Sequence, residues 1–319
     1  MMSAGATADG TRCTAGPRSR RRAGRARTLR SVIAVVGGLG AALCWAIATT
    51  VSSRSSKLIG AGAVLGWVMV VGAVVSLVPA IASQPEKPVS AEAFTLAVVA
   101  GAAYVTGLYL AYRSLRLGPV GLAAAIASTE GAIAAVIAVV LGEPLSLLAS
   151  MMLGLIVIGV VLASIGPSAE DIGSVVARRG SSRPTVLFAS SAAVVFGIGL
   201  VASARSVTMG TPVLWVALIA RVIGVVSVTI PLLARHRLVL TRAAAPLVVV
   251  AGVGEVLGTS VYTIGAQGGI AIAAIIASQF ATLAAIAAYF LFGERLGRLQ
   301  MAGIALVVVG VGAVSALSA

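Results

Sequence analysis

Ten apolar runs, each about as long as a helix that crosses a membrane, leave this chain few ways to fold. They cover approximately residues 32–51, 60–82, 94–114, 119–141, 148–166, 186–207, 212–233, 244–266, 269–292 and 299–317, separated by short polar or Gly/Pro segments. About 20 apolar residues cross the hydrocarbon core as a helix, and a helix satisfies its own backbone N–H and C=O groups where no water can. The runs are therefore read as helices. With 59% hydrophobic and 10% charged residues, the chain carries less than half the charge of a soluble domain, where roughly a quarter of positions are charged. One globular core cannot hide that much apolar surface, so the expected fold class is an all-α integral membrane protein whose first partner is the lipid bilayer.

The net charge of +14 does not point to nucleic acid, because Arg12, Arg18, Arg20, Arg21, Arg22, Arg25, Arg27 and Arg30 supply eight of the 23 basic residues in one arm before the first run. A basic arm beside a membrane helix marks the cytoplasmic side and lies on anionic lipid, so no nucleic-acid partner is expected. The arm and first run are read as an anchor, not a cleaved signal peptide, since the run is long enough to span and similar runs follow. Counted together with the arm, the basic residues at or beyond the span ends divide almost evenly between the two sides, ten inside and twelve outside. Charge nearest the first helix then sets the orientation, giving a multi-pass protein of the cytoplasmic membrane with both termini inside. Cys13 and Cys44 offer no disulfide framework or metal spacing, so neither cofactor nor metal is expected.

Shifting the sequence by 150 places superposes Tyr112 on Tyr262, Gly118 on Gly268, and Ile126, Ala127 and Ser128 on Ile276, Ala277 and Ser278. The register continues through Ala134, Ala135 and Ala138 onto Ala284, Ala285 and Ala288, and after one inserted residue Gly142 and Glu143 fall opposite Gly293 and Glu294. Alanine matches are cheap here; the Tyr, Gly, Ser and Gly-Glu matches are not. The organisation is then a disordered basic arm (1–30), a five-helix repeat (31–166), a polar linker (167–185) and a second five-helix repeat (186–319). Five spans per half make the second repeat enter the membrane from the opposite side. Ten transmembrane helices in two inverted repeats are a transporter arrangement, with substrate held near the midplane between the repeats.

The fourth run, Ser128, Thr129, Glu130, Gly131 through Leu141, Gly142, Glu143, Pro144, and its echo, Ala277, Ser278, Gln279, Phe280 through Gly293, Glu294, Arg295, Leu296, resemble the EamA-type drug/metabolite transporters. The resemblance covers nearly the whole chain after the arm. It implies a central cavity inside the two inverted repeats and substrates ranging over amino acids, sugars, nucleotide-like metabolites and drugs. Two departures stand out: Trp45-Ala46 replaces a frequent Trp-Gly, and the family's proline is missing near Thr129 and Phe280. Glu143 and Glu294, at helix ends, are read as structural caps of the helices that follow them.

Three ionisable residues fall near span centres: Glu130, Arg221 and Glu255. Each costs about 2.5–3.5 kcal/mol on insertion scales unless it pairs, neutralises or faces water, so a wet midplane cavity is the simplest relief. Glu255, Thr259 and Tyr262 follow at i, i+4 and i+7 and share one helix face, with Gly258 leaving space beside the carboxylate. Their register partners on the third helix are Val105, Tyr109 and Tyr112. Ser278 and Gln279 come to the depth of Glu130, although Ser128 and Ser278 serve equally well as ordinary interhelical hydrogen-bond donors. The candidate substrate-binding or proton-coupling set is Glu130, Glu255, Arg221, Thr259, Tyr262, Tyr109, Gln279 and Ser278. If Arg221 pairs with one carboxylate, the other lacks a permanent partner and is free to exchange a proton.

The resulting expectation is a secondary transporter of a small metabolite or drug, working by alternating access with proton coupling through the midplane carboxylates. A channel or a non-transporting scaffold is the alternative. A membrane-embedded enzyme is further off, because the single histidine, His236, lies in a basic loop, no HExxH spacing occurs, and the two aspartates, Asp9 and Asp171, lie outside every run.

Overall fold

The computed structural model describes residues 17–85, 87–117, 126–144, 147–164, 183–280, 282–283 and 298–317. Among them no strand occurs. The helices are α1 (Pro17–Ile59), α2 (Ala61–Ala82), α3 (Ala91–Leu117), α4 (Glu130–Val140), α5 (Leu147–Ser164), α6 (Arg183–Thr208), α7 (Val213–Ala234), α8 (Ala245–Ala266), α9 (Ile270–Ala277) and α10 (Arg298–Leu317). α1, α2, α3, α6, α7 and α8 are long and apolar enough to cross a membrane, and α4 is a shorter apolar helix. α1 begins at Pro17, so the arm's described residues prolong a helix instead of forming a separate coil; arginine and alanine favour helix and the membrane span supplies the nucleus. The linker falls largely outside the described residues.

Side chains sort as lipid requires. On α2, Val74, Val78 and Ile81 are 67%, 72% and 61% exposed, while Val64, Met69 and Gly72 on the other face are buried. Exposed stripes of this kind on helix after helix would aggregate in water but match acyl chains. The interior is rich in alanine and glycine, which lets helix backbones approach closely where no hydrophobic force drives them together.

Packing repeats with the halves exchanged. α3 packs on α6 and α1 on α8; α3 on α7 and α2 on α8; α1 on α9 and α6 on α4; while α2·α7, α4·α9 and α5·α10 each pair counterparts. The fourth and ninth runs are not continuous helices. They break at Ser128–Thr129 and Ser278–Gln279, where Thr129 N–H bonds to Ile126 O at 3.1 Å and Gln279 N–H to Ile276 O at 3.1 Å, two i→i−3 bonds 150 residues apart. Helix resumes with Ile133 N–H on Thr129 O and Leu283 N–H on Gln279 O. No proline causes this. Instead Thr129 Oγ1 donates to Ile126 O at 2.7 Å and Ser278 Oγ to Ile275 O at 2.8 Å, short hydroxyl bonds that compete with the helical ladder.

α7 has a different irregularity, a π-helical turn at Val225–Thr229. Pro231 lacks an N–H for Ser227 O and its ring crowds that carbonyl, and widening the preceding turn relieves the clash. Thr229 Oγ1 ties the turn to Gly66 O on α2 at 2.9 Å.

Candidate functional site

Between the halves lies a chamber of about 770 Å³, lined from α1, α2, α3, α6, α7 and α8 together with Glu130 and Phe280. Ser52, Ser56, Gly60, Leu232 and Arg237 line the end where α1 and α7 finish. Among the described residues the opposite end, beside the arm, is closed by tight packing. There Gly37 of α1 meets Gly265 of α8 with no room for a Cβ on either, and a Cβ on Gly268 would run into Arg30 and Ala34.

Glu143 completes the seal. Gly142 at φ 95° adopts a backbone that only glycine takes without strain, and the turn swings Glu143 across to α9. Its carboxylate accepts Ile270 N–H at 3.1 Å and Ala271 N–H at 3.2 Å, two of the amides a helix start leaves unpaired. Among the described residues the cap therefore lies on a helix of the other half, where the sequence suggested the helix that follows Glu143. Burial pushes this carboxyl up, opposed by the Ala271 and Ile270 amides and by Arg205. Glu294 lies outside the described residues.

The charges predicted at the midplane meet in this chamber. Tyr104 Oη donates to Glu255 Oε2 at 2.6 Å, and the Arg221 guanidinium stacks 4.5 Å from the Tyr104 ring centroid. Arg221 is 1% exposed, with Nη1 4.0 Å from Met69 Sδ and Nε without a hydrogen-bond partner. A Cβ on Gly72 would lie 2.9 Å from that Nε, so glycine on α2 makes the space the guanidinium fills. Arg221 thus reaches Glu255 through an aromatic ring and not as the direct ion pair that charge counting suggests. Glu130 opens α4 directly after the Ser128–Thr129 break, is 6% exposed and lines the chamber.

Thr259 and Tyr262 also face the chamber. Thr259 Oγ1 donates to Glu255 O at 2.8 Å; Tyr262, fully buried, donates to Leu200 O at 3.1 Å and packs its ring 6.0 Å from Trp45. Three candidates sit elsewhere. Tyr109 is 52% exposed and takes a hydrogen bond from Arg113 on the outer surface. Ser278 and Gln279 are buried at the crossing of α4 and α9, where a Cβ on Gly131 would meet Ser278 Oγ at 2.6 Å and the Gln279 Oε1 lacks a partner. The Tyr112 side chain lies outside the described residues.

Residues 32–165 match the EamA-like transporter family. Over those residues the chain is similar to EamA-type transporters. The match spans 134 of the 319 residues and points to a membrane transporter of the drug/metabolite type. A crystal structure of another protein superposes on 89% of this chain and 97% of its own with a TM-score of 0.71 at 17% identity, a likeness that establishes shared fold alone. No curated protein matches the chain at a significant level.

Sequence reading missed Tyr104, Phe196 and the chamber role of Trp45. Taking α3 in register with α8 selects Val105, yet Val105 is buried against Val64 and Leu65 and the wall carries Ala100, Tyr104, Leu108 and Ala111. One residue on a helix is about 100°, enough to exchange an inner for an outer tyrosine. The usable signal was the Ala100–Tyr104–Leu108–Ala111 spacing, which is as helical as the stripe on α8.

Proposed function

We propose that the chain is a secondary transporter that moves a small metabolite or drug across the cytoplasmic membrane by alternating access, built from two inverted five-helix repeats. The observation that carries the reading is one chamber holding Glu130, Arg221, Tyr104 and Glu255, open at one end and sealed at the other. The exchanged helix pairs and the matching breaks at Thr129 and Gln279 support a twofold relation that would turn this state into its mirror. With the arm cytoplasmic, the chamber opens outward. Glu130 and Glu255 are the proton-coupling pair, Arg221 compensates Glu255 through Tyr104, and Thr259 and Tyr262 shape the wall. Tyr109, Ser278 and Gln279 support the scaffold.

Counterflow in proteoliposomes tests this, with labelled amino acids, sugars and amines as solutes and with or without a pH gradient. Saturable exchange that responds to the gradient is expected, and Glu130→Gln and Glu255→Gln should abolish or decouple it. Unsaturable flux indifferent to solute on the far side would indicate a channel. Unaltered flux and pH response in both variants would remove the carboxylates from the mechanism.

A further inference from the structure

The chamber's charge is unequally covered, and that inequality selects a substrate class. Arg221, its buried cation, is shielded by the Tyr104 ring, Met69 and the backbone at Gly72. An anion entering the chamber finds no open face of the guanidinium, and the other basic residue on the wall, Arg237, lies in the exposed loop at the mouth. The carboxylates are the reverse. Glu130 lines the chamber with no hydrogen-bond donor on its carboxylate among the described residues, and Glu255 has only Oε2 engaged, by Tyr104. Around them stand Trp45, Tyr104, Phe196, Tyr262 and Phe280. Aromatic faces attract cations beside a carboxylate in a site shielded from water, and the Tyr104 ring already holds one guanidinium.

We infer that the chamber binds organic cations with a flat aromatic body, the cationic centre lying against Glu130 and the body between the aromatic walls. This deepens the transport reading and rests on it. Trp45 contributes its ring to that wall, its Nε1 being buried against Gly258 of α8. Gly258, where a Cβ would run into the Trp45 ring at Nε1 and Cδ1, makes the room that indole needs.

Calorimetric titration of the purified full chain with three matched probes tests the inference: (2-naphthylmethyl)trimethylammonium, 2-naphthylacetamide and 2-naphthylacetate. The quaternary probe cannot titrate, so its pH response belongs to the protein. Saturable binding of the cation is expected at least tenfold tighter than of amide or anion. Glu130→Gln should weaken the cation at least tenfold and leave the amide unchanged, while Glu130→Asp retains cation preference and reports that the wall still folds. Amide or anion binding as tight as the cation, no saturable cation binding, or an unaffected Glu130→Gln variant would each overturn the assignment. Vesicle flux is read separately: cation binding lost in Glu130→Gln without any counterflow refutes the carrier and leaves the binding class standing, whereas saturable exchange of anions or neutral solutes does the opposite.

Discussion

At the sealed end of the bundle, Gly37 and Gly265 bring α1 and α8 into backbone contact and Glu143 closes on the first amides of α9, whereas at midplane the same α1 and α8 present Trp45, Glu255 and Thr259 to an open chamber. Two helices thus serve as seal and wall within a few turns. Residue size makes the difference. Glycine lets backbones touch and exclude water, and the aromatic and acidic residues further along hold them around a void. A seal of close backbone contacts and one charged cap separates without exposing a large apolar surface, as a carrier that reopens at this end requires.

The largest effect should come from filling the seal. Gly265→Leu places side-chain carbons where Gly37 Cα already lies 2.7 Å from the first of them, and overpacking of this sort costs typically ~1–3 kcal/mol. A fall in thermal unfolding temperature or in folded yield is expected; wild-type stability would mean the contact between α1 and α8 is not tight. Next comes the cap. Glu143→Ala leaves two helix-start amides unpaired, a loss of about 1–3 kcal/mol for buried groups, visible as faster hydrogen exchange at Ile270 and Ala271. Exchange unchanged at both amides would contradict the cross-half cap.

Glu143 also gives the seal a pH dependence. Its folded carboxyl is raised by burial, so the folded state binds more protons than the unfolded chain between the ordinary glutamate range and the shifted value. Stability should therefore fall modestly as pH rises through that window, and Glu143→Gln should flatten the slope; a slope of opposite sign would mean that the amides outweigh burial. The smallest effect belongs to the chamber wall. Thr259→Val removes one hydroxyl bond to Glu255 O, which the helix carbonyl already satisfies through its own ladder, so melting should shift by less than about 1 kcal/mol. A larger loss would show that Thr259 fixes Glu255.

Much of this contrast was written in the residues. Run length and polar punctuation located several helices to within a few residues, as at 244–266 against Ala245–Ala266, because a span's length is fixed by the bilayer, but missed the extension of the first to Pro17–Ile59 and the interruption of the fourth and ninth runs. The exposure cost of Glu130, Arg221 and Glu255 pointed to a shared interior, since lipid penalises a lone charge wherever it stands. What failed depended on rotation and on three-dimensional neighbours. Tyr104 and Tyr109 differ by five residues but face opposite ways, and a repeat register carries no information about small rotations between related helices. The breaks at Thr129 and Gln279 were obscured for a similar reason: without proline, the interruption depends on hydroxyls bonding their own turn, which hydropathy does not detect. The Glu143 cap crosses to the other half because of how the halves interlock, and no local motif reports that.

The account stands or falls on whether the two ends move against each other. Spin-label distances measured by double electron–electron resonance on cysteine pairs across the mouth (Leu58 and Arg237) and across the seal (Gly142 and Gln267) give the direct answer, in lipid, at acidic and alkaline pH and with the naphthyl cation. Anticorrelated shifts are expected, the mouth pair shortening in the populations where the seal pair lengthens. Distances that stay fixed at both ends, or that lengthen together, would contradict alternating access and leave the chamber a static site or a pore.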